Sequence, residues 1–489
     1  MMNWTLCLCF SLLTLQCGVS GYGVLFHKLR QKHLQDMMEG WYRDDPPANV
    51  TTSYIEQPLD HFDPLVDKTY QQRYHVIDAY WHGADRGPVF LYIGGEGPLD
   101  AGEVNSGHHL EMAKKYGALI FGVEHRFYGD SVPKGGLTNE NLEHLSSQQA
   151  LADLASFIGF ATSQYHLSDS NVWISIGGSY PGSLSAWMSI KFHHLIYGSL
   201  ASSAPVRAQV DFQGYNDVVN ASLSNSEAGG SAECIGNVTA AFAKVDELIT
   251  SKQSSQLQKD FNLCQNLTNN LDAETFLSTL QDPFMSSVQY NRGLGNESWI
   301  AGVCKEMMAT SDPYQNLIKF FNHVQISLNL GCMDVSYETY RKELEQNPIK
   351  AWIYQTCTQF GYYQTCEVGS QCPFSHGLDL TRDLTFCKDA FGVSEKSVFQ
   401  QANFTNDYYG SDKPKGGRIL FINGSIDPWH SLSVLESLGE NETAIFIDGT
   451  SHCQDMGGHG EDMPPALGPA LDKIELTVGN WIAEALQKK

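Results

Sequence analysis

Ile174-Ser175-Ile176-Gly177-Gly178-Ser179-Tyr180-Pro181-Gly182 is the stretch on which the reading of this chain turns. It reads as a buried strand (172–176), a glycine turn, and a helix that opens at Pro181 and runs through Trp187 and Ile190. A serine at the apex of a strand-to-helix turn is held clear of the sheet, with its hydroxyl exposed at the strand's C-terminal edge. The N–H of the next residue, Tyr180, then faces the same space and can stabilise a developing oxyanion. The G-x-S-x-G pattern wants glycine where Pro181 stands. Proline is acceptable in a first helical turn because its missing N–H has no intrahelical partner there, and Gly182 can supply the close backbone approach instead.

The sequence around it supplies companion strands. Apolar runs at 89–93, 118–123, 172–176 and 198–203 alternate with helical patterns, among them 146–165 with Leu151, Leu154, Ala155 and Ile158 on one face. Near-continuous apolar strands of this kind suit a parallel sheet covered on both faces. Between about residues 206 and 410 the strand signals fade, and helical stretches such as 240–249 and 314–324 take over. Strands resume at 418–423 and 444–448, and a last helix fits 469–486. The expected plan is an α/β sheet domain in two parts, 21–205 and 411–489, interrupted by a mostly helical insertion, 206–410. An insertion after a strand end sets a cap over the edge where a site lies.

The last two strands each lead into a residue that chemistry could use. Asp427 follows one in Asn423-Gly424-Ser425-Ile426-Asp427-Pro428-Trp429, and His452 follows the other in Asp448-Gly449-Thr450-Ser451-His452. Ser179, Asp427 and His452 would therefore meet at one edge of the sheet, in the chain order Ser…Asp…His of α/β-hydrolases. A serine hydroxyl becomes a nucleophile once a histidine takes its proton, and the aspartate fixes the imidazole tautomer. Oxyanion donors would come from Tyr180 and from Gly95 or Glu96. Asp448 and Asp455 compete with Asp427, as His430 and His459 do with His452. Trp429 could wall a pocket for proline or an aliphatic side chain. Glu124 and Arg126 are candidate substrate anchors, or else partners in a buried ion pair bracing a strand end.

Composition bounds the rest. The chain has 489 residues, and its formal charge of −24 argues against nucleic acid or an anionic membrane as partner. A short apolar run at 6–15 followed by small residues reads as a signal peptide, residues 1–20, and no segment is long enough to span a bilayer. Seven sequons (Asn49, Asn220, Asn237, Asn266, Asn296, Asn403, Asn441) are candidate glycosylation sites; an eighth, Asn423, sits beside the candidate site and is read as unmodified. Cys234, Cys264, Cys304, Cys332, Cys357, Cys366, Cys372 and Cys387 crowd into the insertion and predict four disulfides of unspecified pairing. Cys453 is left over, as a buried free thiol or the odd cysteine of a homodimer. No metal framework or cofactor motif is visible, and the chain is expected to need neither.

These motifs resemble one family over nearly all the mature chain. They are Gly94-Gly95-Glu96-Gly97, Glu124-His125-Arg126-Phe127-Tyr128-Gly129, Gly177-Gly178-Ser179-Tyr180, Ala201-Ser202-Ser203-Ala204-Pro205, Tyr354-Gln355-Thr356-Cys357-Thr358, and Asn423 to Trp429 with His452. The family is that of the serine exopeptidases related to lysosomal Pro-Xaa carboxypeptidase, dipeptidyl peptidase II and thymus-specific serine protease. Within it, 201–206, 354–365 and 451–453 look most like the thymus-specific branch. The resemblance implies an α/β-hydrolase domain with a helical cap, cleavage of short peptides near proline or small residues, and an endosomal, lysosomal or secreted location. The chain departs from the family pattern at Pro181 and at Ser183, where a larger apolar residue would narrow the pocket. The alternative is a hydrolase-fold protein without turnover, serving in binding or adhesion, for which Pro181 is the only mark. A lipase or esterase is a weaker reading, because no long apolar lid segment stands out.

Overall fold

The computed structural model describes residues 49–293, 295, 298–460 and 463–487. The signal-peptide segment and Asn296 lie outside the described residues.

Among the described residues ten strands form in chain order: β1 (Thr51–Pro58), β2 (Thr69–Ile77), β3 (Val89–Ile93), β4 (Leu119–Val123), β5 (Trp173–Gly178), β6 (Gly198–Ser202), β7 (Gln209–Asp211), β8 (Gly361–Tyr363), β9 (Ile419–Gly424) and β10 (Glu442–Ile447). Eight of them make one sheet in the order β1-β2-β4-β3-β5-β6-β9-β10. The β1–β2 and β2–β4 pairs are antiparallel and every other pair is parallel. This is the α/β-hydrolase sheet, with β5 at its centre carrying the serine turn.

Side chains alternate across the pleat, so each strand feeds two cores. Phe90, Ile120, Ile174, Ile176, Ile422 and Ile447 face one side, where the helices His108–Tyr116 and Leu467–Gln487 cover them with Met112, Leu471, Ile474 and Val478. Leu91, Phe121 and Val123 face the other and pack on Leu154 and Phe157 of the helix Ser147–Gln164 and on Trp187 of the helix Tyr180–Lys191. The Ser147–Gln164 helix begins where Ser146 accepts a hydrogen bond from the Gln149 N–H, a favourable N-cap.

Between β6 and β9 the chain adds no strand to this sheet. β7 and β8 pair only with each other, and the remainder is helical. The helix Ala232–Thr250 shows why this region folds. Cys234, Val238, Ala241, Phe242, Val245 and Leu248 recur at helical spacing and are all buried, behind an N-cap at Ser231. Four disulfides tie the insertion: Cys234–Cys304, Cys264–Cys332, Cys357–Cys387 and Cys366–Cys372. All eight cysteines singled out from sequence are paired, and among the described residues Cys453 is the free one.

Candidate active site

Ser179 follows β5 with φ 64° and ψ −132°, a backbone conformation that only a tightly packed turn keeps in a non-glycine residue. The packing that imposes it is visible. A Cβ on Gly182 would lie 2.6 Å from the Ser202 carbonyl oxygen, so the helix can start this close to β6 only with glycine there. Beneath the turn, the Ser175 hydroxyl lies 2.9 Å from that of Ser185 and 2.7 Å from that of Ser199, a fully buried cluster whose small side chains let helix and strands approach. Pro181 takes its place in the first helical turn, and its ring covers Gly95.

Asp427 and His452 leave the ends of β9 and β10. The Asp427 carboxylate is wholly buried; its Oδ1 accepts from the Trp429 N–H at 3.0 Å and from His452 Nδ1 at 2.9 Å. The His452 backbone N–H donates to the Gln289 carbonyl, so the insertion helps to hold the loop. Cys453 brings that loop against the serine turn, since a Cβ on Gly178 would lie 2.9 Å from its sulfur. Burial depresses the His452 pKa, but the Asp427 carboxylate and then Cys453 outweigh it, and the imidazole ends well above its ordinary value.

The competing residues are engaged elsewhere. His430 Nδ1 meets the Gly424 carbonyl, Asp448 accepts from Ser425, and His459 pairs with Glu111. Asp455 is buried and accepts from the Ser202 hydroxyl at 2.5 Å. Burial lifts its pKa to about 6, against the lowering effect of that bond.

Ser179, Tyr180, Glu96 and Trp429 line one cavity of about 150 Å³, closed on the far side by Trp352, Tyr362 and Phe386 of the insertion. Trp429 is held by its indole N–H, which donates to Gln289 Oε1 at 3.0 Å, and its ring packs on Phe212, Tyr215 and Tyr362. Gly95 stands one layer back, against Pro181. The Tyr180 phenol runs the other way, into a buried network. His125 is kept neutral chiefly by burial, which takes its pKa down to about 4. Its Nδ1–H donates to the Arg126 carbonyl, so its Nε2 accepts from the Tyr180 hydroxyl at 3.0 Å. Gln355 of the insertion donates to the same hydroxyl at 2.9 Å and accepts from Tyr128.

Glu124 and Arg126 do not reach this cavity, and their reading as substrate anchors is corrected. Both are wholly buried. Arg126 Nε and Nη2 grip Asp153 at 2.6 and 2.7 Å, and its Nη1 donates to the Leu59 and His144 carbonyls. Glu124 accepts from Arg73 at 2.5 Å, the Leu99 and Asp130 N–H groups and the Ser131 hydroxyl. They brace the loop after β4. Ser183 is likewise buried, its hydroxyl without a hydrogen-bond partner, and lies off the cavity lining. Sequence reasoning missed Trp352 and Tyr362, whose aromatic-rich stretch gave no sign of lining the serine's cavity, and Gln355, which holds the Tyr180 hydroxyl behind it.

Among the sequons, Asn49, Asn266, Asn403 and Asn441 are exposed and Asn220 is half-buried. Asn237 is half-buried with its amide donating to the Met307 carbonyl, and Asn423 is buried with its amide on Val434.

Comparison with known proteins agrees with this geometry. Residues 57–474 match the model of the serine carboxypeptidase S28 family. The chain is 38% identical over 497 residues to thymus-specific serine protease of Mus musculus, covering 97% of each chain. It is 39% identical to the Homo sapiens protein of the same name over 451 residues, covering 89% of this chain and 87% of that one. Lysosomal Pro-X carboxypeptidase of Bos taurus is 27% identical over 85% of both. The chain belongs to the serine carboxypeptidase S28 family and is a serine-type peptidase.

Proposed function

We propose that the chain is an exopeptidase that cleaves short peptides near proline or small residues through an acyl-enzyme on Ser179. His452 takes the Ser179 proton as the hydroxyl attacks the scissile carbonyl, and Asp427 holds the imidazole with Nδ1–H toward itself and stabilises the imidazolium. The N–H groups of Tyr180 and of Gly95 or Glu96 receive the oxyanion. His452 then protonates the leaving amine, and water releases the acid by the reverse sequence. The observation that carries this reading is the 2.9 Å bond from His452 to a buried Asp427, beside a serine turn with positive φ.

The cavity favours the exopeptidase form. Its aromatic walls, Trp429, Tyr362 and Trp352, suit a proline ring, and a cavity of this size lined by the insertion suits the end of a short peptide. Its lining includes Glu96 and no lysine or arginine, and Asp383, also on the lining, is already paired with Arg382 at 2.6 Å, so the preference for a substrate ammonium over a carboxylate comes from Glu96. The four disulfides suit an oxidising compartment, and the Pro-X carboxypeptidase relative is named lysosomal. We therefore place the protein in the secretory pathway, ending in a lysosome or outside the cell, with glycans on its exposed sequons. Among the described residues no helix is long and apolar enough to cross a membrane.

The test is a fluorophosphonate probe on purified protein, with Ser179→Ala as control, followed by mass-spectrometric mapping of cuts in a peptide library. Labelling confined to the unaltered protein and products shortened from one end are expected. Acetylating peptide N-termini should abolish cleavage, whereas amidating C-termini should not. No labelling in folded protein would remove the acyl-enzyme, and internal cuts alone would remove the exopeptidase.

A further inference from the structure

Behind the sheet edge, on the face away from the insertion, four side chains from three segments converge. His108 and Glu111 stand one turn apart on the helix His108–Tyr116. His459 closes the loop that starts at His452, and Glu475 lies on the helix Leu467–Gln487. One donor atom from each lies within 4.8 Å of the other three.

Two histidines and two carboxylates are a donor set that zinc accepts, with nitrogen and oxygen ligands near 2 Å. The details favour a ligand over a simple ion-pair cluster. His108 is 3% exposed, and its Nε2 has no hydrogen-bond partner although Glu475 Oε1 lies 3.7 Å away. A buried ring nitrogen left unpartnered is costly, and a metal ion placed between it and the carboxylate would satisfy both. Glu475 divides its two oxygens: Lys115 holds Oε2, and Oε1 is the one turned toward His108. Glu111 Oε2 is 2.9 Å from His459 Nδ1, and both side chains are over a third exposed, which leaves an entry path.

We infer that His108, Glu111, His459 and Glu475 form a zinc-class divalent-metal site that pins the loop after His452 to the helix His108–Tyr116. The loop is already fixed at its first residue by Asp427 and at its middle by Met456, which packs against Gly178 and Gly107. A metal at His459 would fix its far end. No short-range motif announces such a site, because its ligands are spread from residue 108 to residue 475. That is why the sequence reads as metal-free.

The test uses the whole mature protein, stripped with chelator and titrated with Zn2+ by calorimetry, with Co2+ as an optical reporter of ligand geometry. One zinc per chain, a cobalt visible band typical of mixed nitrogen and oxygen ligation, and a zinc-dependent rise in Tm are expected. The His108→Ala/His459→Ala double variant should lose all three while Ser179 still labels with fluorophosphonate. Glu111→Gln, which keeps the size of a half-buried side chain, should weaken zinc binding at least tenfold. Absence of stoichiometric uptake by the unaltered protein, or unchanged affinity in Glu111→Gln, would overturn the site.

Discussion

The ring of Pro181 occupies the space that a side chain at Gly95 would need: a Cβ there would come within 2.4 Å of the proline Cγ. The two residues come from different loops, one after β3 and one opening the helix after β5. With proline at 181, residue 95 can be only glycine. Gly95→Ala should push the two loops apart. A displacement of about 1 Å at such a site can cost on the order of a hundredfold in kcat/KM. The double variant Gly95→Ala/Pro181→Gly should recover most of that loss. A double-mutant cycle on kcat/KM reads the coupling, and strict additivity would deny it.

Replacing Asp427 by Asn keeps the side chain's shape but favours the wrong imidazole tautomer. A drop of about ten-thousand-fold in kcat is expected, with little change in KM. Steady-state kinetics together with near-UV circular dichroism separates lost chemistry from lost folding.

The pH profile follows from the same contact. His452 must be neutral to act as base, and its pKa stands above the ordinary value because Asp427 outweighs burial. The acid limb of kcat/KM should therefore lie above pH ~6.5, and Asp427→Asn should move the residual limb downward. Stability runs the other way. A raised histidine pKa contributes stability that is complete below the unfolded value near ~6.5 and is lost as pH rises through the folded value. Protein held at mildly acid pH should thus be better folded and less active, and a kcat/KM flat from pH ~5 to ~8 would contradict the assignment.

Asp455 acts on stability in the same sense as His452, the reverse of what a carboxyl group usually does. Its pKa of about 6 against an ordinary 3.8 means the folded state holds the proton more tightly. The stability this confers is complete below 3.8 and gone above about 6, a swing of about 3 kcal/mol. Asp455→Asn should remove that swing, gaining on the unaltered protein between pH 4 and 7. Urea melts at the two pH values measure it.

Arg126 and Asp153 are a buried pair with every guanidinium nitrogen engaged. Asp153→Asn leaves an uncompensated buried charge and should cost about 3–5 kcal/mol of stability. KM measured well below the melting transition should stay the same, the outcome that separates a brace from a substrate anchor.

The parts of this fold that could be read from sequence are those where one period dominates. β3 is apolar end to end, and the strand bounds expected at 89–93 are those observed. The helix expected at 146–165 differs from the observed one by a residue at each end, because Ser146 caps it from outside. β1 and β2 went unseen. Thr51–Pro58 faces water along most of its length, and Thr69–Ile77 buries Gln72 and His75, so neither shows apolar alternation. Asp427 and His452 were legible because each follows a strong strand. Whether Arg126 faced substrate or Asp153 was not, since the deciding partner lies 27 residues away on the helix Ser147–Gln164. Trp352 and Tyr362 were hidden for the same reason: a local pattern reports that an aromatic is buried, not which surface it meets.

All four disulfide bridges begin and end between Cys234 and Cys387, and none crosses to the eight-stranded sheet. The two halves of the molecule therefore depend on oxidation unequally. A thiol reductant would slacken the roof while leaving the nucleophile's platform standing, so selectivity should fade before bond-breaking does.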